Sequence, residues 1–175
     1  MLNVRAAEKS SEQSSDGTLK VASKTKKTST QQLAGFLAKY DPAVAAIARA
    51  ALARLRKRLP GATELVYDNY NALAVGFSPG DRVSEVIFSI AVYPRWVTLF
   101  FLQGIRLKDP DKLLKGSGVR VRHIVLTNAH DISSAPVEAL IAAALAAATK
   151  PIDPKAKRQL LIKSISAKQR PRRPA

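Results

Sequence analysis

Two strand-like segments joined by a short turn constrain the fold more than any other feature of this sequence. "SEVIFSIAVY" (84–93) has an apolar residue at every second position from Val86 to Val92, and "WVTLFFLQG" (96–104) returns the chain after Pro94-Arg95. A period of two residues is typical of strands, and short turns join antiparallel neighbours. Because both segments are partly apolar on both faces, we expect this hairpin at the centre of an antiparallel sheet.

The other periodic segments extend this hairpin into an α+β domain. Further strands are predicted in "TELVYDNY", "ALAVGF" and "VRVRHIVL", which follow one another without an intervening helix. Helices are predicted in "LAGFLAKY", in residues 42–59 behind the capping residue Asp41, and in "SSAPVEALIAAALAAATKP". "RQLLIKSIS" fits a strand or a helix equally. We therefore expect one domain over residues 32–150, with a mainly antiparallel sheet of five or six strands and helices packed on one face.

The charge of the chain is concentrated near its ends. The sequence has 29 Lys and Arg residues against 13 acids, a net charge of +16, and residues 150–175 hold nine of these cations and one acid. Residues 1–31 are rich in Ser, Thr and Lys. We expect a disordered basic tail at 1–31 and a basic, partly disordered C-terminal extension at 151–175. Such an extension attracts polyanions, which makes nucleic acid a candidate partner of residues 150–175.

Several classes of protein are disfavoured by what the sequence lacks. It has no cysteine, which excludes disulfides and thiolate metal sites, and no apolar run long enough to predict a membrane-spanning helix. No secretory signal is recognisable, so a cytoplasmic location is expected. No Gly-x-Ser-x-Gly elbow, phosphate-binding loop or metal-ligand spacing around His123 and His130 is present. The sequence therefore favours a non-enzymatic role, and it leaves the oligomeric state open.

The stretch "KLLKGSGVRVRHIVL" (112–126) offers one set of candidate site residues. Gly116 and Gly118 are expected to supply positive φ in a turn before a strand. On that strand Arg120 and Arg122 would share one face, where they could bind a carboxylate or phosphate or simply lie exposed to solvent. His123 would lie on the other face, as a hydrogen-bonded core residue or as part of a site.

Two aromatic turns offer a second set. "YDNYN" (67–71) interrupts strand-like sequence with residues that disfavour strands, and "YPRW" (93–96) places two aromatics and an arginine at another turn. If these turns lie together, they would form a concave site with aromatic walls and polar anchors. The candidate ligand-binding residues are therefore Tyr67, Asn69, Tyr93, Trp96, Lys115, Arg120, Arg122 and His123.

Three longer stretches resemble the YdhG-like family of small bacterial domains, a group of largely unknown function. They are "LVYDNYNALAVGFSPGDR", "IFSIAVYPRWVTLFFLQGIRLKDPDKLLKGSGVRVRHIVL" and "LLIKSISAKQRPRRP", so the resemblance covers about residues 32–170. Its most specific part is Leu107–Gly118 with Arg122-His123-Ile124. The resemblance implies an architecture similar to that of frataxin, with helices packed on an antiparallel sheet, and it implies an iron-delivery role as one function.

Three functions are consistent with these observations. The first is a binding domain for a small anionic ligand or an acidic protein, without a cofactor of its own. The second, implied by the resemblance, is a frataxin-like accessory protein that binds iron inside the cell. The third is association with nucleic acid through the basic tails.

Overall fold

The computed structural model of the protein describes residues 26–174, which form three helices and a six-stranded sheet. The elements in chain order are α1 (Ser29–Ala38), α2 (Pro42–Arg58), β1 (Thr63–Asp68), β2 (Leu73–Ser78), β3 (Phe88–Val92), β4 (Val97–Phe101), β5 (Arg122–Leu126), α3 (Ala135–Ala146) and β6 (Gln159–Ile165). The predicted α+β class, with helices on a mainly antiparallel sheet, is confirmed. No helix within residues 26–174 has the length and apolar character needed to cross a bilayer.

The sheet is a meander with one strand added at its edge. Strands β1 to β5 pair in sequence and antiparallel, and β6 pairs parallel with β1, which gives the order β5-β4-β3-β2-β1-β6. A parallel strand cannot be reached by a tight turn and needs a longer crossover connection. The chain that leaves β5 at one edge of the sheet and enters β6 at the other edge includes α3. "RQLLIKSIS", which fitted either element, is therefore a strand.

The core lies between one face of the sheet and the helices. Cross-strand partners Val75 and Ile90, and then Ile90 and Leu99, are completely buried on this face. Buried residues of α2 and α3 such as Leu52 and Ile141 belong to the same apolar cluster. Helix α2 begins as predicted, because the Asp41 side chain accepts the N–H of Ala43 and a proline follows it.

The opposite face of the sheet carries smaller and more polar side chains. One cross-strand row consists of Tyr67, Ala74, Ala91, Thr98 and Val125, and the next consists of Leu65, Gly76, Ser89, Phe100 and His123. Strand alternation places both rows away from the helices. We call this surface the open face.

Two predicted boundaries are corrected by the structure. The strand expected from residue 84 begins at Phe88, because residues 83–85 form a 3-10 turn that brings Val86 against Gly76. The domain does not end at residue 150, because hydrogen bonding of β6 to β1 makes part of the basic extension a strand of the sheet. At the other end, α1 begins at Ser29, inside the tail predicted for 1–31, and the rest of that prediction falls mostly outside the described residues.

The turn before β5 also differs in detail from the prediction. Gly116 has the expected positive φ of 109°, but Gly118 does not have a positive φ. Strand β5 begins only at Arg122, so Arg120 lies in the preceding loop. The isolated bridge between Lys115 and His123 closes this loop, because each residue donates its N–H to the carbonyl of the other.

Candidate ligand-binding site

A cavity of about 960 Å³ opens where the tips of the β1–β2 and β3–β4 hairpins meet the C-terminal segment. The two predicted aromatic turns therefore do lie together in space. The cavity is lined by Asn69, Tyr70, Asn71, Ala72, Ala74, Ser89, Ala91, Tyr93, Pro94, Arg95, Trp96, Phe100, Arg170, Pro171, Arg173 and Pro174. No carboxylate is among these lining residues.

The aromatic wall is a stacked pair at the tip of the β3–β4 hairpin. Tyr93 donates its backbone N–H to the carbonyl of Trp96, and the two rings stack with centroids 5.1 Å apart and an interplanar angle of 22°. The preceding pair, Val92 and Val97, points into the core, so alternation directs Tyr93 and Trp96 to the open face. Trp96 remains 44% exposed, which leaves part of its ring available to a ligand.

Small side chains create the depression between the hairpin tips. Ala74 on β2 and Ser89 and Ala91 on β3 form the floor, and Phe100 on β4 borders it. Tyr67 is the cross-strand partner of Ala74, and His123 is the partner of Phe100, with ring centroids 5.4 Å apart. Tyr67 and His123 therefore flank the floor without lining the cavity.

The C-terminal segment is held at the cavity by a buried ion pair. Arg172 Nη2 donates to Asp68 Oδ1 at 2.8 Å, and the two side chains are only 3% and 1% exposed. Arg172 also donates to the carbonyl oxygens of Asn69 and Tyr70, and its guanidinium lies over the ring of Tyr40 at 5.5 Å. Its Nε is buried without an acceptor among the described residues. One arginine thus ties the segment to β1, to the β1–β2 turn and to Tyr40 in the connection between α1 and α2.

Backbone contacts continue this attachment on both sides of Arg172. Ser166 donates its N–H to the carbonyl of Asp68, and Arg170 donates its N–H to the carbonyl of Tyr70. Arg173 Nε donates to the carbonyl of Tyr40 at 3.2 Å. Residues 166–173, which we call the docked segment, therefore run along the end of β1 and the tip of the β1–β2 hairpin.

The phenol of Tyr40 belongs to the same buried cluster. Its hydroxyl oxygen accepts the backbone N–H of Leu73 at 3.0 Å. Burial raises the pKa of Tyr40 to about 12, although the nearby Arg172 charge and the Leu73 hydrogen bond act in the opposite direction. The phenol therefore stays neutral across the physiological range.

Three arginines give the cavity its positive charge. Arg95 comes from the β3–β4 tip, whereas Arg170 and Arg173 come from the docked segment. None of the three takes part in a salt bridge within residues 26–174. No acid in this part of the chain therefore neutralises their charges, which attract anions to the cavity. Arg173 also donates from Nε and Nη2 to the carbonyls of Tyr40 and Ala38, so only part of its guanidinium faces a ligand.

The eight predicted site residues separate into three groups. Asn69, Tyr93 and Trp96 line the cavity, and Tyr67 and His123 flank its floor. The remaining basic residues lie elsewhere. Lys115 and Arg120 belong to the exposed loop beside β5, and Arg122 points to the other face of the sheet from His123 and donates to the carbonyl of Val121 at 2.8 Å. The structure therefore does not place these three among the residues that line the cavity.

Sequence reasoning missed Arg170 and Arg173, and it did not use Arg95. No local pattern connects a Pro-Arg-rich terminus to a hairpin tip about 100 residues earlier in the chain. Asp68 carried the one available signal. An acid inside a strand-like segment must find a buried partner, and a C-terminal arginine is that partner.

A second cavity lies at the opposite end of the hairpin β3–β4. It measures about 440 Å³ and lies beside the C-terminal end of α3. Its acid, Glu85, is paired with Lys150 at 3.2 Å, and Arg106 is a second cation in the lining. The presence of a carboxylate distinguishes it from the cavity at the hairpin tips.

The buried acids of β1 are committed to arginines rather than arranged for a metal. Glu64 receives two hydrogen bonds from Arg56, at 2.9 and 2.7 Å, and Asp68 pairs with Arg172. Within residues 26–174 no three His, Asp or Glu side chains are grouped so that they could hold a metal ion. The described residues therefore do not fit an iron site of the kind that the family resemblance implies.

Comparison of the chain with protein-family models, with curated proteins and with solved structures finds no match.

Proposed function

We propose that the protein is a binding domain for a small organic anion, which occupies the cavity at the hairpin tips. The observation that carries this proposal is the lining itself, in which Arg95, Arg170 and Arg173 surround stacked aromatic rings without a carboxylate. Pockets that combine apolar walls with a few convergent polar groups are the usual form of small-molecule sites. Guanidinium groups recognise carboxylates and phosphates through paired hydrogen bonds.

The other two functions have less support from the described residues. An acidic protein would use the same arginines, and it is the alternative occupant of this cavity. Iron binding stands as an expectation from the family resemblance, without a ligand set in residues 26–174. Nucleic acid could contact fewer cations of the C-terminal extension than the sequence suggests, because Arg172 is buried in an ion pair.

The proposal can be tested with phenyl phosphate, which joins an aromatic ring to a dianion. Trp96 is the only tryptophan in the sequence and lines the cavity, so its fluorescence reports occupancy directly. We expect saturable quenching or enhancement, and we expect Arg95→Gln with Arg170→Gln to weaken binding at least tenfold, since the loss of even one hydrogen bond to a charged group costs about 1.5–3 kcal/mol.

The matched control is Lys115→Gln with Arg120→Gln, which removes the same charge from the loop beside β5. Its affinity for phenyl phosphate should stay within about twofold of the parent, because a distant exposed charge is screened by salt. Equal losses of affinity in the two double variants would show that the effect comes from net charge and not from contacts in the cavity. Absence of saturable binding by fluorescence and by calorimetry would overturn the proposal.

A further inference from the structure

We infer that the ligand of this cavity is a mononucleotide, in which a planar base and a phosphate are joined by a sugar. This inference rests on the proposed function and goes beyond it, because an anion site alone requires no stacking surface. The lining supplies three kinds of group together: aromatic rings, side-chain amides and guanidinium groups. A nucleotide is the common ligand class that uses all three.

The aromatic rings are arranged for stacking rather than for packing in the core. Trp96 and Tyr70 lie at the tips of two hairpins and are 44% and 52% exposed, so part of each ring is accessible to a ligand. Both line the cavity, as does Tyr93, whose ring stacks on that of Trp96. Bases stack on such rings with little dependence on sequence, because every base has a π-face.

The amides lie in the β1–β2 turn beside Tyr70. Asn69 and Asn71 are exposed, line the cavity and each offer a donor and an acceptor. Base edges also combine donors and acceptors, so paired hydrogen bonds between an amide and a base are geometrically favoured. A ligand with only a carboxylate would leave these two amides hydrogen-bonded to water.

The arginines come from two different elements around the cavity. Arg95 shares the β3–β4 tip with Tyr93 and Trp96, whereas Arg170 and Arg173 approach from the docked segment. A phosphate held by them can therefore remain attached to a base stacked on the rings. The volume of about 960 Å³ is at the upper end of the range of about 300–1,000 Å³ for ligand pockets, far more than an inorganic anion would fill.

The test compares three probes by calorimetry on the full chain: adenosine monophosphate, ribose 5-phosphate and adenosine. We expect adenosine monophosphate to bind about tenfold more tightly than either fragment, since stacking and phosphate contacts each contribute. Trp96→Leu should remove that preference while it leaves the affinity for ribose 5-phosphate within about twofold. Ile105→Ala, at an exposed apolar residue outside the cavity lining, is the control and should change neither affinity.

The outcomes separate this inference from the proposed function. Equal affinity for adenosine monophosphate and ribose 5-phosphate would overturn the mononucleotide and leave the anion site standing. No binding of either, together with no binding of phenyl phosphate, would overturn both. A single-stranded decanucleotide that binds more than about a hundredfold tighter than adenosine monophosphate would overturn the mononucleotide in favour of nucleic acid.

Discussion

Asp68 and Arg172, 104 residues apart in the chain, form a buried ion pair with a 2.8 Å hydrogen bond between Oδ1 and Nη2. Asp68 is the last residue of β1, and Arg172 belongs to the docked segment. The pair therefore joins the sheet to the segment that brings Arg170 and Arg173 to the cavity. If the cavity binds a ligand as proposed, we expect its affinity and the stability of the protein to be coupled through this contact.

Asp68→Asn should lower the free energy of unfolding by about 3 kcal/mol, because it leaves the buried Arg172 charge without its counter-ion. This value is at the low end of the range for broken buried pairs, since Arg172 keeps the carbonyl oxygens of Asn69 and Tyr70. Urea unfolding followed by circular dichroism measures it. Asp111→Asn, at an exposed acid, is the control and should stay within about 0.5 kcal/mol of the parent. A similar loss in both variants would show that the ion pair is not the cause.

The same Asp68→Asn variant should bind phenyl phosphate about three- to tenfold more weakly under conditions where it remains folded. The reason is that Arg170 and Arg173 are held beside the cavity by the docked segment, and a looser segment must be ordered when the ligand binds. Titration through Trp96 fluorescence at low denaturant measures the change. Unchanged affinity would mean that the docked segment keeps its position without the ion pair.

Tyr40→Phe should destabilise the protein by about 1–3 kcal/mol, because the buried N–H of Leu73 loses its acceptor. The pH dependence has a definite sign. Since the folded pKa of Tyr40 is raised to about 12, the neutral phenol contributes stability that is fully present below pH 10 and is lost as the pH rises towards 12.

Spectrophotometric titration of the phenolates should therefore show one of the four tyrosines ionising near pH 12. That last step should be absent in Tyr40→Phe and retained in Tyr70→Phe, whose ring is half exposed. A late-ionising tyrosine that persists in Tyr40→Phe would assign the raised pKa to another residue.

Asp131→Asn should reduce stability at neutral pH and flatten its dependence on pH in acid. Partial burial raises the pKa of Asp131, but hydrogen bonds from Thr127 and Asn128 outweigh this effect and lower it below its ordinary value of 3.8. The carboxylate thus contributes stability that is present above that pH and is lost as the pH falls below it. Melting temperatures of parent and variant should converge as the pH falls well below 3.8, and curves that stay parallel would contradict the assignment.

Gly116→Ala should cost about 1–2 kcal/mol, since Gly116 has φ of 109° and an added Cβ would also lie 3.2 Å from the His123 ring. Gly118→Ala is the matched control two residues away, where φ is not positive and the nearest atom would be 3.7 Å from the new Cβ. Thermal unfolding of the two variants should therefore differ clearly. Equal stabilities would show that the loop adjusts its backbone without strain.

Local patterns in the sequence determined most of the secondary structure. Alternating apolar residues identified the β3–β4 hairpin, and the Asp41-Pro42 start identified α2, because these signals depend only on neighbours in the chain. Pattern also marked the "YDNYN" and "YPRW" turns as possible parts of one site, but only the structure shows that they lie beside the same cavity. The class of fold followed from consecutive strands flanked by helices.

Only the tertiary structure decided which charges belong to the site. Strand alternation predicts which residues of β5 share a face, but it does not predict what lies against that face. The sequence therefore grouped Lys115 and Arg122 with the aromatic turns, whereas other arginines line the cavity. The docked segment reaches the cavity because β6 pairs with β1 and because Arg172 finds the buried Asp68. These contacts join residues about 100 positions apart, and their free energy depends on burial, which local sequence does not encode.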